Sequence, residues 1–111
     1  MQGGFVRIAS LAEVPEGELR SYGSPAGRVA IVHVEQELFA IADECPADGA
    51  SLAEGELGRS EDSVICPDDG SEFDVRSGEP LEGPAVDPLR VYAVRLTDGW
   101  IEIGPLTEGT W

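Results

Sequence analysis

Arg28-Val29-Ala30-Ile31-Val32-His33-Val34-Glu35-Gln36-Glu37-Leu38-Phe39-Ala40-Ile41 is the stretch that decides the fold class. Valine and isoleucine crowd its first half. Branching at Cβ restricts these side chains in a helix and suits them to a pleated surface, so the run reads as a strand. Three polar residues, Glu35 to Glu37, interrupt it, and a second apolar run follows. The whole reads as a β-hairpin with a short polar turn.

The same period of two recurs on both sides. Phe5-Val6-Arg7-Ile8 and Leu19-Arg20-Ser21-Tyr22 precede the hairpin, the latter closed by the turn Ser24-Pro25-Ala26-Gly27. Ser63-Val64-Ile65-Cys66, Glu72-Phe73-Asp74-Val75 and Arg90 to Leu96 follow it. Thr97-Asp98-Gly99 then turns the chain into Trp100-Ile101-Glu102-Ile103. Eight or nine short strands with close-set turns, and no useful helical period, predict an all-β fold: a small antiparallel barrel or sandwich. No linker divides the chain, so residues 1–111 are expected to form one domain, with Pro105 to Trp111 as a loose tail. Glycine and proline concentrate between residues 44 and 88, as loops set between strands would require. Phe73 and Trp100 are expected in the core or at a barrel end.

Composition narrows the partners. The 111 residues carry 7 basic and 22 acidic side chains, a formal charge of −15, and every basic residue is arginine. That balance excludes the basic footprint of a nucleic-acid binder and disfavours anionic membranes. No apolar run is long enough to span a bilayer, and Met1-Gln2-Gly3-Gly4 opens no signal peptide, so a soluble cytoplasmic protein is expected. The acidity serves solubility or a basic protein partner.

The two cysteines sit in like contexts: Cys45-Pro46-Ala47-Asp48-Gly49 and Cys66-Pro67-Asp68-Asp69-Gly70. Each is expected to end a strand. Proline fixes φ after the sulfur, and glycine permits a tight turn. Two such turns leaving one sheet would bring both sulfurs to a common tip. There they can act as buried apolar residues, as a disulfide, or as ligands for a soft metal.

Around these loops runs the series Phe39-Ala40-Ile41, Cys45-Pro46, Gly49-Ala50-Ser51-Leu52, Glu54-Gly55, Val64-Ile65-Cys66-Pro67, Gly70-Ser71, Phe73-Asp74-Val75 and Arg76-Ser77-Gly78. Pro80, Pro84-Ala85, Pro88-Leu89 and Tyr92-Ala93-Val94 continue it. The chain resembles the Rieske-type ferredoxins that serve aromatic-ring dioxygenases, and is similar also to the small subunit of assimilatory nitrite reductases. The resemblance runs from about Phe5 to Ile103. It implies a Rieske-like barrel or sandwich with a two-loop cluster-type subdomain over about residues 43–78. It also implies a protein partner, an oxygenase or reductase component. In that family the loops supply Cys-x-His and Cys-x-x-His to a [2Fe–2S] cluster, both cysteines on one iron and both histidines on the other.

Cys45 and Cys66 match the cluster cysteines. The histidine positions hold Ala47, with no donor, and Asp69, a hard carboxylate. The sole histidine, His33, lies in a strand twelve residues before Cys45 and is expected to be a surface or strand-end residue. A standard Rieske cluster is therefore not expected. The alternative is a noncanonical [2Fe–2S] site on Cys45 and Cys66, with Asp48 and Asp69 completing it. Cysteines sharing one iron stand about 3.7 Å apart, so a small collapse would let Cys45 and Cys66 form a disulfide. Asp43, Glu44, Asp48, Asp68 and Asp69 are expected to raise the thiol pKa values by like-charge repulsion. The functional expectation is an accessory or protein-interaction subunit rather than an enzyme. Its alternative is an electron-transfer ferredoxin serving an oxygenase or reductase.

Overall fold

The computed structural model describes residues 5–25, 27–46, 49–58, 62–83 and 87–106. Ten strands lie within them: β1 (Val6–Ser10), β2 (Glu18–Ser24), β3 (Gly27–Val34), β4 (Glu37–Ala42), β5 (Glu56–Leu57), β6 (Ser63–Ile65), β7 (Glu72–Asp74), β8 (Pro80–Glu82), β9 (Val91–Thr97) and β10 (Trp100–Leu106). Single 3-10 turns at Leu11–Glu13 and Leu52–Glu54 complete the regular structure. All pairing is antiparallel.

The deciding stretch folds as the expected hairpin, tighter by one residue. Val34 pairs with Glu37, which already belongs to β4, leaving Glu35 and Gln36 as the turn. Both have positive φ, 53° and 66°, as the type I′ hairpin turn demands for its twist to match the strands. The β9–β10 hairpin meets the same demand with Asp98 and Gly99, at φ 51° and 83°.

β1-β10-β9-β4-β3-β2 is the order of the larger sheet. Its edge strands β1 and β2 lie against one another, so the sheet nearly closes into a barrel. β5-β6-β7-β8 forms a second, smaller sheet. Two apolar clusters result. Val29, Ile31, Ala40, Tyr92 and Ile101 fill the barrel. Ala30, Val32, Val34, Val64, Phe73 and Val75 fill the space between barrel and small sheet. β3 contributes to both from its opposite faces, which is why its sequence is continuously apolar instead of alternating.

Several expectations change in detail. β5 and β8 were not expected, and β8 carries the cysteine subdomain on to Glu82, beyond Gly78. Phe73 is buried, but Trp100 is 38% exposed, with the Arg7 guanidinium 4.8 Å from its ring. β10 extends through Leu106, which pairs with Tyr92, so only residues 107–111 of the expected tail fall outside the described residues. Among the described residues no helix is long and apolar enough to cross a membrane.

Candidate metal and thiol site

The two cysteine loops are one turn built twice. The Cys45 N–H donates to Ala50 O at 2.9 Å, and the Gly49 N–H donates to Cys45 O at 2.8 Å. In the second loop the Cys66 N–H donates to Ser71 O at 2.7 Å, and the Gly70 N–H donates to Cys66 O at 3.1 Å. Gly49 and Gly70 share a φ of 80°, a left-handed conformation that costs a side chain-bearing residue about 1–2 kcal/mol. The repeated Cys-Pro-x-Asp-Gly motif thus encodes a repeated backbone.

The loops leave different sheets, not one as expected. Cys66 directly follows β6 of the small sheet. Cys45 follows β4 of the barrel only after Asp43 and Glu44, so it does not itself end a strand. Their sulfurs nevertheless converge. Cys45 Sγ, Cys66 Sγ and a carboxylate oxygen of Asp69 all lie within 4.8 Å of one another. Both cysteines are buried thiols outside any disulfide, and Asp69 is half-buried. Of the carboxylate oxygens, Asp69 Oδ1 accepts the Ser71 N–H at 2.8 Å, and Oδ2 accepts the Cys45 thiol at 3.8 Å.

Burial pushes the Cys66 thiol up to about 11, against the backbone N–H groups of Asp69 and Asp68, which donate to its sulfur and favour the thiolate. The direction agrees with expectation. The leading cause is loss of solvent, with smaller upward pushes from hydrogen bonds to the Cys45 and Asp69 side chains. Asp43, counted among those neighbours, is engaged elsewhere. It is fully buried, and its carboxylate accepts bonds from Ser21 Oγ (2.8 Å), Ser51 Oγ (2.7 Å), the Ala53 N–H (2.7 Å) and Arg28 Nε (3.2 Å). It thereby ties β2 and β3 to the first cysteine loop. Sequence reasoning missed this structural role, because only the tertiary fold brings Ser21, Arg28 and Ser51 to one carboxylate.

Ala47 and Asp48 lie outside the described residues. His33 sits on β3, half-buried. Its Nδ1–H donates to Val14 O at 2.7 Å, and its Nε2 lies 3.4 Å from Glu16. It is a strand histidine and takes no part in the cysteine group.

Comparison with known proteins bears on the same loops. A family model described as a Rieske-like [2Fe-2S] domain matches residues 4–104. The 3-phenylpropionate/cinnamic acid dioxygenase ferredoxin subunit of Escherichia coli (strain K12) is 40% identical over 94 residues, 84% of this chain and 86% of that protein. The ferredoxin of carbazole 1,9a-dioxygenase from Nocardioides aromaticivorans IC177 superposes with a TM-score of 0.85 at 29% identity, covering 91% of this chain and 97% of that one. A chain in the complex of reduced oxygenase and oxidized ferredoxin in carbazole 1,9a-dioxygenase matches with a TM-score of 0.85 at 25% identity, covering 96% of this chain and 98% of that one. A two-cysteine, two-histidine [2Fe–2S] centre needs a pair of imidazoles on its second iron. The donors gathered here are two thiols and one carboxylate, and the single imidazole of the sequence is held on β3. The residues do not fit that centre.

Proposed function

The chain belongs to the Rieske-like [2Fe-2S] domain family, and from that premise we propose that it is a ferredoxin-type accessory subunit without the two-cysteine, two-histidine cluster. Its work is protein interaction beside an oxygenase or reductase component. One observation carries the reading: the barrel and both cysteine loops are kept, whereas the cysteine group has a carboxylate and no imidazole. The partner class is carried over from the dioxygenase subunits it resembles and from the oxygenase–ferredoxin complex. A surface bearing a net formal charge of −15 favours a basic docking face on that partner.

A second reading has its own support. Two thiols on one carboxylate-bearing tip are donors for iron, so a noncanonical [2Fe–2S] site would make the chain an electron carrier. One experiment separates the two. Protein purified without oxygen is analysed for iron and acid-labile sulfide and mixed with an oxygenase or reductase component of a dioxygenase or nitrite reductase system. Salt-sensitive complex formation without iron or sulfide supports the accessory role. Two irons and two sulfides per chain, lost on substitution of Cys45 or Cys66, support the carrier and overturn the accessory role.

A further inference from the structure

We infer that Cys45, Cys66 and Asp69 supply three donors to a mononuclear site for one soft divalent cation of the zinc or ferrous class. The inference rests on the accessory reading in one respect: the two thiols are not committed to a binuclear cluster. The donor geometry is the first argument. A tetrahedral ion with metal–sulfur bonds of about 2.3 Å and metal–oxygen bonds of about 2.1 Å sets its sulfurs about 3.7 Å apart. It sets sulfur and oxygen about 3.6 Å apart. The three donor atoms already stand within 4.8 Å of one another, and Cys45 Sγ is 3.8 Å from Asp69 Oδ2. Closing on an ion asks for side-chain adjustments of about 1 Å or less.

Orientation is the second argument. The Ser71 N–H holds Asp69 Oδ1, fixing the carboxylate so that Oδ2 faces the sulfurs. Backbone N–H groups of Asp68 and Asp69 donate to Cys66 Sγ and partly offset the burial that disfavours negative charge on that atom. Such outer bonds orient ligands and raise affinity. Both cysteines belong to one buried apolar cluster with Leu52, Val64 and Phe73. The half-buried Asp69 and exposed Pro67 and Gly70 mark the solvent side, from which a fourth donor completes the site.

The donor chemistry selects the ion. Thiolates prefer zinc and ferrous iron over magnesium or calcium, which take oxygen ligands. Binding replaces two thiol protons by one divalent ion, so two protons leave to solvent and the complex of two thiolates, one carboxylate and one cation carries a net −1. Affinity therefore rises with pH.

Cobalt(II) alone is the probe. Full-length protein, reduced and stripped of metal, is titrated while thiolate-to-cobalt charge transfer and the tetrahedral ligand-field bands are recorded. Saturation at one cobalt per chain is expected, reversed by zinc and untouched by magnesium. Cys45→Ser should abolish the charge-transfer band, and Asp69→Asn should weaken binding at least about tenfold. As a check independent of variant folding, zinc should protect both wild-type thiols from a thiol reagent. Folded, reduced, iron-free protein that gives no cobalt spectrum and no zinc protection overturns this inference and leaves the accessory reading standing. Cobalt affinity unchanged in folded Asp69→Asn overturns the three-donor site. Iron and sulfide in the protein as isolated overturn the accessory reading instead.

Discussion

Ser51 Oγ donates to Asp43 Oδ2 at 2.7 Å, a bond between the first cysteine loop and the end of the barrel hairpin. Asp43 is buried and also gathers Ser21, Arg28 and the Ala53 N–H. Asp43→Ala would strand all of these partners, and removing one member of a buried charged network costs about 3–5 kcal/mol. Urea unfolding should register that loss, with a smaller one for Asp43→Asn. Arg28, whose side chain is 53% exposed, contributes through solvent. Arg28→Ala still leaves the buried Asp43 carboxylate with neutral donors only, so it should cost less than Asp43→Ala but more than the about 1 kcal/mol of an exposed ion pair.

The β3–β4 turn offers the opposite change. Glu35 and Gln36 occupy a positive-φ pair that Asn-Gly adopts with less strain. Replacing them by Asn and Gly should raise stability by about 1 kcal/mol in the same assay, since each left-handed residue carries a penalty of about 1–2 kcal/mol. The Gln36 N–H bond to Glu16 uses only backbone at position 36 and should survive.

Tyr22 supplies a pH dependence. Burial raises its pKa above 10.0, helped by the bond its hydroxyl donates to Glu13 Oε1 at 3.1 Å. The unfolded chain ionises first as pH rises, so stability from this group is complete below the unfolded pKa of 10.0 and is lost as pH climbs through the folded value. Ultraviolet titration of tyrosinate should show the delayed ionisation. Tyr22→Phe should remove this part of the alkaline loss, and Glu13→Gln should bring the midpoint back toward 10.0.

Oxidation of the metal-free protein with diamide should join Cys45 to Cys66, two thiols giving up two electrons and two protons to the reagent. The sulfurs lie within 4.8 Å, whereas a disulfide needs about 2.05 Å, so the loops must close slightly. Thiol titration should fall to zero in the folded protein and return to two on reduction. Two thiols persisting after oxidation would show that the loops resist closure.

Ala47→His together with Asp69→His should restore the four donors of the family centre. Reconstitution with iron and sulfide, followed by electron paramagnetic resonance after reduction, reads the result. A coloured protein with a reduced-state signal is expected. A colourless, folded product would limit the family likeness to the scaffold.

Legibility in the sequence followed the length of the pattern. β3 and β9 are long enough for apolar residues to declare a strand, and Cys-Pro-x-Asp-Gly declared its turn twice. β5 and β8 have two and three residues, too few to carry a period. The Glu35–Gln36 turn lacked glycine, so its positive φ was invisible. At the site, Cys45 and Cys66 were legible from their like contexts, and Asp69 from the family resemblance, which places a ligand at that position. Asp43 was misread as a neighbouring charge because its burial depends on serines and an arginine that only tertiary folding supplies. The chief cause of the raised Cys66 pKa was hidden for the same reason: solvent exclusion is a property of the assembled core.

β3 is a party wall, with one room on each side. Damage to it cannot stay private to either. Shortening Ile31 from the barrel side would loosen the strand whose other face, through Val32 and Val34, shares a core with both cysteines. The sulfurs are thus held by the stiffness of a neighbour they do not face, and neither compartment keeps its shape once the wall between them is gone.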